Sequence, residues 1–109
     1  MIQRAISNLL SNAIRHGPAG STVALELAES RTEALLAVRN TGEGIAAEHL
    51  PRIFDRFYRI HPSRSRQQGG TGLGLAIVRS IMSLHEGHVT VESELDGPTT
   101  FKLIFPKSA

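Results

Sequence analysis

The sequence contains no cysteine, and this absence removes several classes of chemistry at once. Disulfide-stabilised folds, cysteine-ligated zinc, thiol catalysis and iron–sulfur clusters all need the missing side chain. Long apolar runs are absent too: no stretch approaches the roughly 18 residues of a membrane-spanning helix, and no signal-peptide pattern opens the chain. We therefore expect a domain that works in a reducing, aqueous compartment, most simply the cytoplasm.

Net charge is also small, because 12 Lys and Arg face 10 Asp and Glu and leave +2 over 109 residues. Such a balance gives no chain-wide attraction to nucleic acid. One local exception is a cluster of five arginines between positions 52 and 66. Its members are Arg52, Arg56, Arg59, Arg64 and Arg66. This cluster faces either solvent or an anion. The length predicts a single domain, residues 1–109, with one modest core.

Hydrophobic periodicity predicts two helices and four strands. The helices are expected at 1–15 and 72–86, ended by Gly17-Pro18 and Gly87, and the strands at 22–28, 34–39, 88–94 and 100–105. Short helical turns are expected around Pro51, and residues 61–71, which hold no large apolar side chain, as a mobile surface loop. The order predicts an α+β, two-layer sandwich, with helices on one face of a mixed, mostly antiparallel sheet. Because the first helix begins without a cap signal, we expect the chain to be truncated from a larger protein.

Asn8 and Asn12 interrupt the apolar pattern of the first helix, one turn apart on the same face. Amide oxygens are hard, neutral ligands that suit Mg²⁺ when substrate phosphates supply the negative charge. Taken alone, exposed helical asparagines are the simpler interpretation. Arg15 and His16, at the end of this helix, either add cations beside a phosphate or interact with the helix dipole.

Two glycine-rich segments follow. Asn40, Gly42 and Gly44 come directly after a strand, where backbone could approach a flat ligand closely, although an ordinary turn has the same composition. Residues 69–74 (GGTGLG) open a helix, whose unpaired N–H groups and positive dipole end favour an anion. They form neither a Walker loop nor a dinucleotide fingerprint. Gly72 and Gly74 would each cost about 1 kcal/mol relative to alanine within a helix, so an ordinary helix start explains them poorly.

The histidines do not have the spacing of a metal site. His85 and His88 flank the helix stop at Gly87, so they do not share one helix face. His49 and His61 fall in polar segments, where we expect them to be solvated.

Four motifs occur in a fixed order: NLLSNAIRH, NTGEGI, FDRFYR and GGTGLGLAIV. Together they resemble the boxes of the catalytic ATP-binding domain of bacterial sensor histidine kinases, in the superfamily shared with gyrase B, the mismatch-repair ATPase and the heat-shock chaperone ATPases. The resemblance covers almost the whole chain. The stretch AEHLPRIFDRFYRIHPSRSR is particularly similar to the branch that senses copper, silver and other heavy metals. A Bergerat-type ATP-binding fold is implied, with ATP and Mg²⁺ as ligands.

The resemblance also implies residue roles. Asn12 would bind the Mg²⁺ that bridges the ATP phosphates, with Asn8 as a second catalytic partner near the transferred phosphoryl group. Asn40 stands where most relatives have an aspartate that reads the adenine amino group. Phe54 and Phe57 would anchor a nucleotide lid at about 58–71. The remaining implied ATP-binding residues are Arg15, His16, Gly42, Gly44, Ile45, Tyr58, Arg59, Gly70, Thr71, Gly72, Leu73, Gly74, Leu75 and Thr100.

The implied activity is that of a protein histidine kinase, which donates the γ-phosphoryl of ATP to a histidine on its own dimerisation domain, outside this sequence. A response regulator would then receive the phosphate. The chain would be the cytoplasmic domain of an inner-membrane protein, monomeric and a poor kinase in isolation, without nucleic-acid or membrane contacts of its own. Because Asn40 lacks the charge of an aspartate, we expect adenine binding to weaken by about 1 kcal/mol.

Three alternatives stay open. The first is a stand-alone anti-sigma-type serine kinase, although the uncapped first helix argues against a complete chain. The second is a non-catalytic nucleotide-binding regulatory module, weakened at Asn40. The third is a nucleic-acid-binding protein that uses the arginine cluster, and its binding would depend strongly on salt.

Overall fold

The computed structural model describes residues 2–16, 22–42, 44–58 and 74–107. Within those ranges lie the helices α1 (Ile2–His16) and α2 (Gly74–Leu84). The strands are β1 (Val23–Glu29), β2 (Glu33–Asn40), β3 (His88–Ser93) and β4 (Thr99–Pro106). The predicted α+β class and element order are confirmed, and the predicted boundaries that fall on described residues are shifted by at most two residues. The loop predicted at 61–71 and the first two positions of the predicted second helix lie outside the described residues.

The four strands form one sheet in the order β1-β2-β4-β3, and its three described pairings are all antiparallel. Ser30 builds the turn between β1 and β2: its N–H donates to the Glu33 carbonyl at 2.8 Å, and its Oγ accepts from the Glu33 N–H at 3.1 Å. At the opposite corner of the sheet, Asn40 pairs with Thr99, and Thr99 pairs with Ser93. This corner therefore collects polar residues from three strands.

The core lies between the two helices and one face of the sheet. Along β2 and β4, alternate residues point toward the helices, so that Val38 lies opposite Phe101. Asn40 and Thr99, the next inward pair, continue this buried face. The buried apolar cluster comprises Ala5, Leu9, Ala13, Leu36, Val38, Ile53, Phe54, Val78, Ile81, Met82, Phe101 and Leu103.

The predicted helical turns occupy residues 46–58, between β2 and α2. One of their backbone hydrogen bonds runs from the Arg52 N–H to the His49 carbonyl at 2.9 Å. The Phe54 side chain packs into the core, where its ring meets Phe101 edge to face at 6.1 Å between centroids. These turns therefore belong to the folded domain rather than to a peripheral loop.

The second helix ends at Leu84, two residues before its predicted end, and the predicted stop at Gly87 closes the turn that follows it. The Gly87 N–H donates to the Met82 carbonyl at 2.8 Å, which satisfies one of the last helical carbonyls. The residue with the left-handed backbone is Glu86, at φ 60°, rather than the glycine. Neither described helix combines the length and the apolarity needed to cross a membrane.

Candidate functional site

One candidate cluster lies where α1 meets the first residue of α2. The side-chain Nδ2 of Asn8 donates to the Gly74 carbonyl at 3.3 Å, across 66 positions of sequence. Asn8 and Asn12 are both half-buried, on the flank of the buried stripe of α1. The fold thus brings two of the predicted motifs, the asparagine face and the glycine-rich helix start, into contact.

The beginning of α2 is suited to an anion. The first turn of a helix has N–H groups without intrahelical partners, and the helix dipole adds positive potential there. The first turn of α2 carries no acidic residue that would already offset this potential. A Cβ added to Gly74 would meet no atom of the described residues within 4 Å. Packing within the described part of the chain therefore gives no reason for glycine at this position.

A second candidate cluster lies at the polar corner of the sheet. Asn40 and Thr99 are each only 6% exposed, which is unusual for polar side chains beside an apolar core. The hydroxyls of Ser93 and Thr99 are hydrogen-bonded at 2.6 Å. The Ile45 N–H donates to Ser93 Oγ at 2.8 Å, so the chain that follows β2 is tied to the end of β3.

The glycine turn after β2 packs against backbone. Gly44 has φ +73°, a left-handed conformation that L residues with a side chain rarely adopt. A Cβ at this position would lie 1.8 Å from the Glu94 carbonyl oxygen, so only glycine, whose side chain is a hydrogen atom, fits here. The sequence left close approach to a ligand and an ordinary turn both open, and the structure gives a packing reason for Gly44, namely its contact with the β3–β4 turn.

The aromatic segment before the predicted lid holds two of the clustered arginines. The Arg52 guanidinium lies 4.9 Å from the centre of the Tyr58 ring, and that of Arg56 lies 5.9 Å from the Phe57 ring. His49 Nδ1 and the Tyr58 hydroxyl are hydrogen-bonded to each other. The prediction that His49 is solvated is therefore wrong, because its ring is half-buried and has a specific partner.

The two predicted lid anchors differ in their surroundings. Phe54 is 9% exposed and belongs to the core cluster, whereas Phe57 is 63% exposed. Phe57 also has a left-handed backbone, with φ 66°. Its side chain therefore lies outside the core, at a strained position.

The threonine paired with Asn40 is Thr99, and the predicted ATP-binding residue Thr100 lies next to it on β4. Thr100 pairs with Arg39, so strand alternation directs it to the opposite face of the sheet. The sequence carried a signal for this assignment, because Thr99 shares its parity with the apolar Phe101. The sequence analysis also did not identify Ser93 as a residue of this polar corner. Ser93 is nevertheless the last of the inward-facing residues Val89, Val91 and Ser93 on β3.

The remaining predicted site residues divide into three groups. Gly42 lies in the turn after β2, and Leu75 packs partly buried against the core cluster. Arg15 and His16 are the last two residues of α1. Arg59, Gly70, Thr71, Gly72 and Leu73 lie outside the described residues, as does the predicted lid beyond Tyr58.

The chain has many recognisable relatives. The family described as histidine kinase-, DNA gyrase B- and HSP90-like ATPase matches residues 1–109. The sensor protein IrlS of Burkholderia pseudomallei is 52% identical over 109 residues, which make up 100% of this chain and 24% of that protein. The sensor histidine kinase CusS of Escherichia coli O6:H1 is 50% identical over 106 residues, covering 97% of this chain and 22% of its own length.

The solved structures that resemble this chain are also histidine kinase domains. The catalytic domain of the histidine kinase ThkA matches with a TM-score of 0.82 and 28% identity, over 99% of this chain and 68% of that one. This chain spans about a quarter of the length of IrlS and CusS. These matches agree with the four sequence motifs and with the sheet that carries two helices on one face. The resemblance stated from the sequence is therefore confirmed. The chain belongs to the histidine kinase-, DNA gyrase B- and HSP90-like ATPase family, as a domain of the sensor histidine kinase type.

Proposed function

We propose that this chain binds Mg²⁺–ATP and donates the γ-phosphoryl group to a histidine of the sensor kinase to which it belongs. The observation that carries the proposal is the hydrogen bond between Asn8 and the Gly74 carbonyl. It holds the asparagine face of α1 against the N-terminus of α2. One element then supplies neutral oxygen ligands and the other supplies positive potential, which is what a metal–triphosphate needs.

The asparagines fit a magnesium ion held jointly with phosphates. Asn12 would bind it, with Asn8 close by on the same helix face. Because Asn8 uses its amide nitrogen toward Gly74, the amide oxygen is the end that can accept or ligate. When bound, Mg²⁺ neutralises phosphate charge and helps to fix the orientation of the triphosphate.

The polar corner of the sheet would bind the base. The Asn40 amide can accept from the exocyclic amino group of adenine, and we assign Thr99 in place of Thr100 as its neighbour. Both side chains are buried at 6% exposure, so water competes weakly with hydrogen bonds formed there. Gly42, Gly44 and Ile45 would form one wall of this pocket, and the Ile45 N–H is held by Ser93 Oγ at 2.8 Å.

Phosphoryl transfer requires mainly positioning and charge stabilisation from the protein. The bond between the γ-phosphorus and the β,γ-bridging oxygen breaks, a bond to the histidine nitrogen forms, and ADP leaves. The α2 N-terminus would stabilise charge on the phosphates, together with Arg15, His16 and Arg59. The acceptor histidine, its dimerisation domain and the response regulator are partners outside this chain, in a sensor kinase that we place at the inner membrane with this domain in the cytoplasm.

Calorimetric titration with a non-hydrolysable ATP analogue, with and without Mg²⁺, tests the proposal. The variants are Asn12→Ala and Ser11→Ala, since Ser11 is the exposed neighbour on α1 and its replacement is a matched loss of a polar group. We expect Mg²⁺-dependent binding by the wild type and by Ser11→Ala. In Asn12→Ala the affinity should fall about tenfold or more and lose its Mg²⁺ dependence.

Equal binding by the two variants would refute the metal role of Asn12. Magnesium-independent binding by every variant would favour the non-catalytic regulatory module. No binding by the wild type would refute the proposed function itself.

A further inference from the structure

The inward face of the edge strand β1 is left uncovered by the two described helices. α1 packs on β2 and β1, whereas α2 packs on β3 and β4. Leu25 and Leu27 of β1 pair with Val38 and Leu36 of β2, so all four side chains lie on the helix side of the sheet. Val38 and Leu36 are 0% and 8% exposed, but Leu25 and Leu27 are 53% and 83% exposed. The helix layer therefore stops short of β1.

α1 has an apolar flank beside this gap. Asn8 bonds to Gly74, so the asparagine side of α1 faces α2. Leu10 and Ile14 each lie two residues from Asn12, which places them roughly 160° around the helix from it, on the flank away from α2 and toward β1. Leu10 is half-buried and Ile14 is 70% exposed. The flank of α1 and the inward face of β1 thus line one open apolar groove.

The shape of the groove calls for a helix. A segment that extended the sheet beyond β1 would pair with its backbone, but the Leu27 side chain stands perpendicular to the sheet and would stay uncovered. A helix beside α1 would lie above β1, in the layer that the groove interrupts. Its apolar residues, repeated every three or four positions, would cover the side chains of α1 and β1 together.

The size of the groove favours a segment of the same polypeptide over a second copy of the chain. Leu25, Leu27 and Ile14 together expose roughly 120–250 Å² of apolar side chain, whereas a stable interface buries roughly 800 Å² per partner. A tethered segment can bind to so small a surface because its effective concentration is high.

The relatives of this chain contain enough additional sequence for such a segment. The match with the ThkA catalytic domain covers 68% of that chain, so about a third of it lies outside the match. In IrlS the matched stretch is 24% of the protein. A catalytic domain of this type thus has further residues that pack on or beside the shared fold.

We propose that the groove lined by Leu10, Ile14, Leu25 and Leu27 binds an amphipathic helix of the same sensor kinase, from outside this chain. This helix completes the layer over β1 and turns its polar face to solvent. The groove lies on the side of α1 away from Asn8 and Asn12, so the proposal does not depend on the proposed function.

Cysteine reactivity tests the proposal, because the chain has no cysteine of its own. Leu27→Cys places a thiol in the groove, and Leu95→Cys places one at a similarly exposed site in the β3–β4 turn. Each variant is labelled with a maleimide in the isolated chain and in a full-length chimera, in which this chain replaces the matching stretch of IrlS. Mass spectrometry of the peptide that holds the new cysteine gives the labelling rate. Leu27→Cys should react about tenfold more slowly in the chimera, and Leu95→Cys should react equally in both.

Equal reactivity of Leu27→Cys in the isolated chain and in the chimera would overturn the proposal, and so it would exclude a helix over β1. Slower labelling of the isolated chain at higher protein concentration would show that a second copy covers the groove, which would also overturn it. A photo-cross-linker attached to Ile14→Cys in the chimera should link to residues of the same polypeptide outside the replaced stretch. Cross-links only between molecules would overturn the proposal.

Melting temperatures give a second measurement if the new thiol itself weakens docking. Leu27→Gln should leave the melting temperature of the isolated chain unchanged and lower that of the chimera by about 2–4 °C. Leu95→Gln, the matched control, should change neither. Equal shifts for Leu27→Gln in the isolated chain and the chimera would overturn the proposal.

Discussion

Gly74→Ala should make the protein more stable and a weaker nucleotide binder at the same time. Gly74 is the first residue of α2, and its backbone does not have a positive φ. An added Cβ would meet no atom of the described residues within 4 Å. Alanine therefore fits the folded backbone without strain while it reduces the conformational freedom of the unfolded chain.

The expected gain follows from helix energetics. Replacing glycine with alanine in a helix stabilises by about 0.5–1 kcal/mol. For a domain of this size that gain raises the melting temperature by about 2–8 °C. If phosphate oxygens approach this backbone, the new methyl group overpacks the site and costs about 1–3 kcal/mol of binding, roughly a 5- to 150-fold loss of affinity.

Thermal denaturation and titration with a non-hydrolysable ATP analogue measure the two effects. Ser80→Ala is the matched control, because Ser80 is exposed on the same helix and its replacement also favours helix formation. The control should gain stability and keep its affinity. If Gly74→Ala melts at a lower temperature, the space beside Gly74 is not open. If it keeps wild-type affinity, the backbone of α2 does not contact the nucleotide.

Three further substitutions test other contacts by urea denaturation. Gly44→Ala should lower the free energy of unfolding by about 2 kcal/mol or more, because Gly44 has a positive φ and its new Cβ would lie 1.8 Å from the Glu94 carbonyl oxygen. In the control Gly97→Ala the new Cβ lies 3.4 Å from its nearest neighbour, and the free energy of unfolding should fall by less than about 1 kcal/mol. Equal losses in the two variants would contradict the packing of the turn. Phe54→Ala should lose about 3–5 kcal/mol as a cavity opens beside Phe101, and a loss under about 1 kcal/mol would contradict its place in the core. Phe57→Asn should raise the free energy of unfolding by about 0.5–1 kcal/mol, because asparagine tolerates the left-handed backbone and the phenylalanine is 63% exposed. A net fall in the free energy of unfolding would mean that the contacts of the Phe57 ring stabilise the fold.

Most of the fold could be predicted from the sequence because its signals are local. Helical spacing of Ala5, Leu9 and Ala13 marks α1, and alternation marks the strands. The strand order β1-β2-β4-β3 was not predicted, since it depends on pairings between segments far apart in the chain. The motifs identified the family, and the fold explains why two of them meet at Asn8 and Gly74.

The parts of the candidate site that sequence reasoning missed depend on register and on distant partners. Alternation from Phe101 would have favoured Thr99 over Thr100, but only the pairing with β2 brings Thr99 beside Asn40. The partners of Ser93 are Ile45 and Thr99, and the first is 48 positions away. No local composition encodes the contact between Ser93 and Ile45. The bond between His49 and Tyr58 spans only nine positions, and it was missed because it depends on how the turns between the two residues fold.

Autophosphorylation of a chimera tests the central claim most directly. This chain would replace the 52% identical stretch that makes up 24% of the sensor protein IrlS. After incubation with ATP and Mg²⁺, mass spectrometry would locate any phosphate. The account predicts phosphorylation of a histidine outside this chain, retained with Ser11→Ala and lost with Asn12→Ala. A chimera that binds ATP but phosphorylates no histidine, while native IrlS does so under the same conditions, would contradict the claim that this domain donates the phosphoryl group.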